Sequence, residues 1–267
     1  MSVKAYDFEY DGVKLSDLGF IICKFDSSDV DTIDNGSQIT FNTVPTLNGM
    51  KHELTSSTYE DCLNTTFQIC KNKCDSNQTD TVSFDEMRNI MSWLNRKGFH
   101  KFRLLDDEYS GVYFEASFNV SRIEVNGMIY GFELEMFTNR PFAIREPVVT
   151  TIKNGSNNGI NVIYNESDEE GCIYPDMEIT IEKDGDFIMK NSFNNRVMRI
   201  ANCKTGEVIK VSYPVISSSL DSHKIQNDFN WSFFRLENTF RDKKNKITLS
   251  LPCVVRIAYS PIVKVTI

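Results

Sequence analysis

The chain of 267 residues has no long apolar run and little positive charge. No stretch approaches the ~18 consecutive apolar residues that a membrane-spanning helix requires, and the opening segment MSVKAYDFEYDG contains no apolar core of a signal peptide. Lys and Arg number 29 against 37 Asp and Glu, for a formal net charge of −8. We therefore expect no membrane insertion and no signal peptide, and we exclude a protein that holds nucleic acid by neutralising its phosphates.

Paired cysteine motifs are also missing, although the chain contains seven cysteines. Their positions are Cys23, Cys62, Cys70, Cys74, Cys172, Cys203 and Cys253. The local cluster of Cys62, Cys70 and Cys74 has no CxxC pair and no nearby histidine, which disfavours a zinc site. An odd number of scattered cysteines is typical of free thiols in a reducing compartment.

Sequence signatures of catalysis and cofactor binding are absent as well. The chain has neither a GxGxxG nor a GxxxxGK[ST] pattern, and none of its three histidines lies in a metal-binding motif. His100 follows a predicted helix, which favours a packing role over that of a general base. The acidic run from Asp106 to Glu108 could hold a cation or supply the carboxylates of a glycoside hydrolase, but an acidic turn between strands is far more common. We predict no catalytic, cofactor-binding or metal-binding residue and no enzymatic activity.

Strand signals dominate what is present. The pairs Asp11-Gly12 and Asn126-Gly127 each separate two strand-like segments and predict tight hairpin turns. Further strands are predicted at 38–44 and 51–57. Between Met128 and Phe137, apolar and acidic residues alternate, which predicts a strand with one buried and one wet face.

One helix stands out among the strands. Ser83 and Glu86 form a capping box, and an apolar residue then recurs every three or four positions up to Leu94. With Gly98 as the stop signal, the pattern predicts a helix at about 84–97. Trp93 lies off the apolar stripe, so it either packs elsewhere or marks a contact surface.

Two domains are predicted, 1–146 and 147–267, because two prolines interrupt the strand pattern between Asn139 and Pro147. The first domain is β-rich with the one helix (α+β). The second is all-β, with Asp184-Gly185 predicting a hairpin and Thr205-Gly206 another turn between strands, as in a β-sandwich.

The densest aromatic run surrounds Trp231. Strand alternation would place Phe229, Trp231 and Phe233 on one face, as a sandwich core requires. An exposed Trp231 indole could instead stack on a sugar ring, which would make the chain a carbohydrate-binding module for attachment to a cell surface. We favour the core interpretation and retain Trp231 as the candidate carbohydrate contact.

Several short segments, taken in order, carry a family resemblance. They are 8–12, 15–22, 93–94, 102–107, 109–113 and 131–142 in the first domain, and 230–238 and 247–253 in the second. Together they span most of the chain and resemble the distal tail proteins of long-tailed phages.

The resemblance implies a structural role at the tail tip or baseplate of a virion, after assembly in the host bacterial cytoplasm. In this family the N-terminal domain forms a hexameric ring, in some cases two stacked rings, and a galectin-like C-terminal β-sandwich projects outward. The ring joins the tail tube protein to the tail-associated hub protein and in some phages carries receptor-binding proteins. The resemblance brings no catalytic residues with it.

A ring would suggest a role for the uneven distribution of charge between the two domains. Residues 1–146 contain 14 Lys and Arg against 23 Asp and Glu, a net of −9, whereas residues 147–267 contain 15 against 14, a net of +1. Six negative copies around a channel would repel DNA and let it pass through the lumen without being trapped. Alternatively, the carboxylates solvate the outer face of the ring, and the sequence favours neither arrangement.

Overall fold

The computed structural model describes residues 5–25, 38–72, 79–155 and 158–265. The chain forms two compact units, one of Met1–Ile144 with Lys264–Ile267 and one of Arg145–Val263. Antiparallel strands make up most of each unit, which confirms the prediction of a mainly β protein. Neither helix in this described part of the chain has the length and apolarity needed to cross a membrane. Cys74, a member of the cysteine cluster, lies outside the described residues.

The first part of the chain builds a large antiparallel sheet. The strands as far as Arg145 are β1 (Phe8–Tyr10), β2 (Val13–Lys14), β3 (Phe20–Cys23), β4 (Ile39–Thr46), β5 (Lys51–Tyr59), β6 (Asn64–Lys71), β7 (His100–Leu104), β8 (Val112–Val125), β9 (Met128–Thr138) and β10 (Ala143–Arg145). Seven of them lie in the order β2-β1-β7-β8-β9-β6-β3. The predicted hairpin turns at Asp11-Gly12 and Asn126-Gly127 are confirmed, and both residues of the second turn have positive φ, 52° and 76°.

One helix, α1 (Phe84–Leu94), begins at the predicted capping box. Ser83 Oγ accepts a hydrogen bond from the Glu86 N–H, and Glu86 Oε2 accepts one from the Ser83 N–H at 2.8 Å. The reciprocal bonds satisfy two N–H groups that a helix start leaves without partners. Ile90 and Leu94 are fully buried, so the apolar stripe faces the core as predicted.

The helix ends at Leu94, three residues before the predicted end, because Asn95 leaves helical geometry with ψ at 71°. Trp93 packs into the core of the unit. Its indole N–H donates to the Tyr10 carbonyl at 3.0 Å, and its ring stacks on Phe8 with 5.6 Å between centroids. The last helical turn is therefore held on the sheet by an aromatic contact and a hydrogen bond.

The second unit contains three antiparallel sheets. Its strands are β11 (Val148–Asn154), β12 (Gly159–Tyr164), β13 (Gly171–Ile173), β14 (Asp176–Ile181), β15 (Gly185–Asn191), β16 (Val197–Cys203), β17 (Val208–Ser212), β18 (Val215–Ser218), β19 (Leu236–Asn238), β20 (Lys244–Leu249), β21 (Cys253–Tyr259) and β22 (Ile262–Val263). The sheet orders are β11-β21-β14-β17-β18, β12-β20-β15-β16 and β13-β19. A four-residue helix, α2 (Ile225–Asp228), follows β18.

The two larger sheets of this unit share one apolar core. Ile179 and Val255 from the five-stranded sheet belong to the same buried cluster as Phe187 and Leu249 from the four-stranded sheet. Alternate residues of each strand face inward, as in a β-sandwich.

The predicted hairpin at Asp184-Gly185 is wrong. β14 belongs to the five-stranded sheet and β15 to the four-stranded sheet, so the turn crosses between layers. The turn at Thr205-Gly206 crosses in the same way, from β16 to β17. Asp184 Oδ1 accepts hydrogen bonds from both the N–H and the hydroxyl of Thr205, each at 2.7 Å, and these bonds hold the two crossing turns side by side.

Candidate functional site

Acid–base side chains meet in the second unit, where His223 Nδ1 lies 2.6 Å from Glu207 Oε1 and His223 Nε2 lies 3.2 Å from Asp228 Oδ2. Within the described ranges, no three His, Cys, Asp or Glu side chains converge on a position for a metal ion.

His100 packs edge-on against the Tyr10 ring at 5.6 Å and lies 3.7 Å from the Asp11 carboxylate. The Asp106 carboxylate accepts a hydrogen bond from the Glu108 N–H and caps a short 3-10 turn. The acidic run therefore forms a turn between strands.

The described cysteines are free thiols. Burial raises the pKa of Cys203 to about 11 and that of Cys253 to about 12. A hydrogen bond with Cys70, together with burial, raises the pKa of Cys23. These thiols are protonated at neutral pH and are therefore weak nucleophiles.

A two-stranded arm stands apart from the large sheet of the first unit. β4 and β5 pair with each other in antiparallel register, with Ile39 opposite Tyr59 and Thr46 opposite Lys51. Among the described residues, neither strand pairs with any other. Almost every side chain of both strands is exposed. We call residues 39–59 the hairpin arm.

The hairpin arm carries large apolar side chains in contact with solvent. They are Ile39, Phe41, Val44, Leu47, Met50 and Leu54. Phe41 is 63% exposed, and it shares one face with Leu54, because Leu54 lies opposite Thr43 and side chains alternate along a strand. β4 has no charged residue to protect its edge.

The hairpin arm is not expected to be stable in water without a partner surface. An isolated two-stranded hairpin is marginally stable in water, and clustered exposed apolar side chains mark interaction sites. The sequence predicted both strands but gave no sign that they leave the sheet. The absence of charged residues from β4 is a sequence sign of an interaction surface, but it does not indicate that the two strands leave the sheet.

A second surface of the first unit is acidic. Glu133 and Glu135 lie on the solvent side of β9, and within the described part of the chain each accepts a hydrogen bond from a neutral amide. Gln68 Nε2 donates to Glu133 at 3.3 Å, and Asn119 Nδ2 donates to Glu135 at 3.1 Å. Because neither amide offsets a charge, this acidic sheet face keeps its negative potential.

In the second unit the candidate carbohydrate contact Trp231 is 56% exposed. The core interpretation is therefore wrong for Trp231, although Phe229 and Phe233 are buried as predicted. Trp231 adopts a left-handed backbone conformation, with φ at 55°, which breaks the strand alternation and turns the indole outward. No property of the sequence around Trp231 indicated that conformation.

Trp231 belongs to a continuous chain of aromatic rings. Its ring lies 6.4 Å from the buried Phe233, which in turn contacts Tyr213 at 5.2 Å. Tyr213 is 55% exposed and stacks on Tyr174 at 4.1 Å. Two exposed rings therefore rest on one buried ring.

A shallow groove of about 290 Å³ crosses the outer face of the five-stranded sheet. Its polar lining includes Glu178, which lies opposite Lys210 on one neighbouring strand and opposite Arg256 on the other. Asp176 and Ser212 also line the groove. The groove thus offers hydrogen-bond donors and acceptors of both charges.

Comparison with known proteins identifies the family. A family model described as the phage tail protein N-terminal domain matches residues 3–140, and one described as the phage tail C-terminal domain matches residues 142–259. A search of curated proteins found no match.

A solved structure shares the fold. The crystal structure of SPP1 Dit, described as a paradigm of the hub adsorption apparatus in phages that infect Gram-positive bacteria, aligns with a TM-score of 0.67. The alignment covers 96% of this chain and 98% of that chain at 10% identity. The comparisons confirm the resemblance to phage distal tail proteins, and because the two family models together match nearly the whole sequence, the chain belongs to the phage tail protein family.

Proposed function

We propose that the protein is the distal tail hub of a long-tailed phage or prophage, in which six copies form a ring. Family membership supports a place in a phage tail. The fold shared with SPP1 Dit supports the hub role, since that protein is described as part of a hub adsorption apparatus. The role is structural and requires no catalysis.

The observation that carries the ring is the hairpin arm. Its exposed Phe41 and Leu54 have the character of an interaction site, and the partner in this proposal is the neighbouring copy of the chain. When each copy places its arm on the next, the contact is head-to-tail, and such contacts close into a ring when the rotation allows it.

The two domains have different tasks in this proposal. Residues 1–146 form the ring, which joins the tail tube protein to the tail-associated hub protein. The sandwich, residues 147–267, projects outward as a galectin-like domain and in this position can carry receptor-binding proteins. The assembled protein is located at the tail tip, and its assembly takes place in the cytoplasm of the host.

The acidic sheet face is our candidate for the wall of the channel. With Glu133 and Glu135 repeated six times, the wall would repel DNA phosphates and leave the genome free to slide. Replacing both residues with lysine should make rings that retain short duplex DNA at low salt, measured by electrophoretic mobility. Glu178→Lys in the second unit serves as the control. A ring structure with neutral or basic channel walls would contradict this part of the proposal.

The ring itself is tested by size-exclusion chromatography with light scattering and by electron microscopy. We expect particles of six, or two times six, chains of 30.7 kDa at high concentration. Phe41→Asp combined with Leu54→Asp should leave monomers, because each aspartate would place a charge in an apolar contact. Phe240→Asp is the matched control, since Phe240 is 86% exposed and belongs to the other unit.

Two outcomes would contradict the proposal. One is a chain that stays monomeric at every concentration, including when it is mixed with purified tail tubes. The other is a hexamer that forms equally well with the doubly substituted arm, which would assign the interface to another surface.

A further inference from the structure

We propose that the edge strand β12 of the second unit binds an extended acidic segment of a partner protein as an added β-strand. β12 is the outermost strand of the sheet β12-β20-β15-β16, and within the described part of the chain it pairs only with β20. All the residues concerned lie within Arg145–Val263, so the proposal does not depend on ring formation.

Alternate residues of β12 turn their backbone groups away from β20. Just past the end of the strand, the Asn165 N–H donates to the Lys243 carbonyl at 2.9 Å. Hydrogen bonds in an antiparallel pair join every second residue, so the residues of β12 that bond to β20 are Gly159, Asn161 and Ile163. The N–H and C=O groups of Ile160 and Val162 therefore point to the open edge.

The far end of β12 shows the same direction. The Tyr164 carbonyl accepts a hydrogen bond from the Tyr259 hydroxyl at 2.7 Å, and Tyr259 belongs to β21 of the other large sheet. A carbonyl that faced β20 could not reach that hydroxyl. Ile160 and Val162, in step with Tyr164, thus present two donors and two acceptors to an incoming strand, as strand addition requires.

The opposite edge of the same sheet is closed by comparison. In β16 the Arg199 carbonyl accepts the Asn230 N–H at 3.1 Å, and the Val197 carbonyl accepts Asn230 Nδ2 at 2.9 Å. The short helix α2 also packs against β16. Among the described residues, no side chain occupies the outward backbone groups of Ile160 or Val162 in this way.

β12 also lacks the usual defences of an edge strand. Its sequence, Gly-Ile-Asn-Val-Ile-Tyr, contains neither a charged residue nor a proline. Its outward side chains are apolar, since Ile160 is 72% exposed and Val162 and Tyr164 are exposed as well. An open backbone edge beside an apolar stripe is suited to strand pairing.

Lysines on the adjoining strands determine the charge of the partner. Lys246 lies opposite Val162 and Lys244 opposite Tyr164, and both side chains are exposed on the same outer face. Lys190 of β15 is exposed on this face too. Within the described ranges, none of these three ammonium groups forms an ion pair. The face beside β12 therefore attracts carboxylates.

The spacing of strands allows those carboxylates to come from the added strand. That strand would lie about 5 Å from β12 and about 10 Å from β20. A glutamate on its outer face can lay its methylene groups on Ile160 or Val162, while the flexible stem of Lys246 brings its ammonium group toward the carboxylate. A second copy of β12 in the same place would add lysines and no carboxylate. The ligand is therefore a segment in which glutamate alternates with a β-branched residue.

The test uses the full-length protein and a fluorescein-labelled octapeptide of alternating glutamate and valine, followed by fluorescence anisotropy. The peptide should bind, binding should weaken as salt screens the charges, and a peptide with lysine in place of glutamate should not bind. Lys244→Glu combined with Lys246→Glu should abolish binding. Lys210→Glu is the matched control, since Lys210 is 70% exposed on the other large sheet.

Val162→Pro tests the backbone contact separately from the charge. Proline removes the outward N–H of residue 162 and leaves the bonds between β12 and β20 in place, so binding should fall by about tenfold or more. Val162→Thr keeps the N–H and is the control. Near-ultraviolet circular dichroism checks that each variant is folded.

Amide hydrogen exchange of the wild type, measured by nuclear magnetic resonance, gives a readout that needs no variant. Peptide binding should protect the amides of Ile160 and Val162, whereas those of Asn161 and Ile163 should change little because they already bond to β20.

Three outcomes would overturn the proposal. The first is a wild-type protein that does not bind the acidic peptide, and the second is binding that survives both Val162→Pro and the double lysine substitution. The third is a dimer in light scattering that Val162→Pro converts to monomers, which would assign the edge to a second copy. A ring that forms normally from a protein without affinity for the peptide would leave the hub role intact and remove this site.

Discussion

Lys71 Nζ lies 2.8 Å from Glu86 Oε1 and ties the last residue of β6 to the first turn of α1. The same ammonium group donates to the Thr81 carbonyl at 3.0 Å. Burial acts to raise the pKa of Glu86, but hydrogen bonds from Lys71 and Ser83 outweigh it and hold the pKa below its usual range. Glu86 therefore serves both the buried lysine and the helix cap.

Replacing Glu86 with glutamine should destabilise the first unit by about 1–2 kcal/mol. The substitution leaves the Lys71 ammonium, whose side chain is 7% exposed, without a counter-charge. The cost falls short of the ~3–5 kcal/mol of a fully buried pair, because the Glu86 side chain is 35% exposed. Urea unfolding measures the effect, and Asp85→Asn on the exposed side of the same turn is the control. Equal losses for both variants would show that the Lys71 contact contributes nothing.

A buried carboxylate should make the second unit sensitive to acid. Glu207 is fully buried, and its Oε1 accepts hydrogen bonds from Ser218 Oγ and His223 Nδ1. The Lys204 N–H donates to its other oxygen at 2.9 Å. Burial acts to raise the pKa of Glu207, yet these hydrogen bonds prevail and lower it.

The lowered pKa of Glu207 determines how the stability of the second unit depends on pH. Because the pKa is lower in the folded state, Glu207 stabilises the unit above its unfolded pKa of about 4.3, and this contribution is lost as the pH falls through the folded value. Glu207→Gln should therefore lower stability at pH 7 and flatten the loss of stability below about pH 4.3. Urea unfolding at a series of pH values checks this, and parallel profiles for wild type and variant would contradict it.

A pair of buried asparagines should be essential to the sandwich. Asn191 Nδ2 donates to Asn245 Oδ1 at 2.7 Å, and the same oxygen accepts the Glu237 N–H at 2.8 Å. Asn245→Ala would leave these buried donors without an acceptor, at a cost of about 2–4 kcal/mol. Thermal unfolding measures this loss of stability, and Lys244→Ala at an exposed neighbouring position is the control. A loss below ~0.5 kcal/mol would mean that water replaces the lost amide.

Local signals in the sequence were enough to predict elements whose partners are close in the chain. The Ser83 and Glu86 capping box located the start of α1, and Asn126-Gly127 located a hairpin, because both depend on bonds between residues a few positions apart. The end of α1 was predicted too late, since the chain leaves helical geometry at Asn95, before the Gly98 stop signal.

Features that depend on long-range contacts could not be predicted from local sequence patterns. Asp184-Gly185 has the composition of a hairpin turn, yet the strands on either side join different sheets. Which sheet a strand joins depends on long-range pairing, such as that of β14 with β21. For the same reason, neither the exposure of Trp231 nor the separation of the hairpin arm could be predicted.

The hairpin arm should change its hydrogen exchange on assembly. In the monomer, the amides of 39–59 should exchange close to the unprotected rate, because a two-stranded element with exposed faces opens readily. In the ring they should become protected, since the apolar contact covers both strands. β9 lies between β6 and β8 and provides the internal reference that stays protected in both states. Mass spectrometry after deuterium labelling of separated monomer and ring gives the comparison, and an arm equally protected in the monomer would mean that its stability does not come from a second copy.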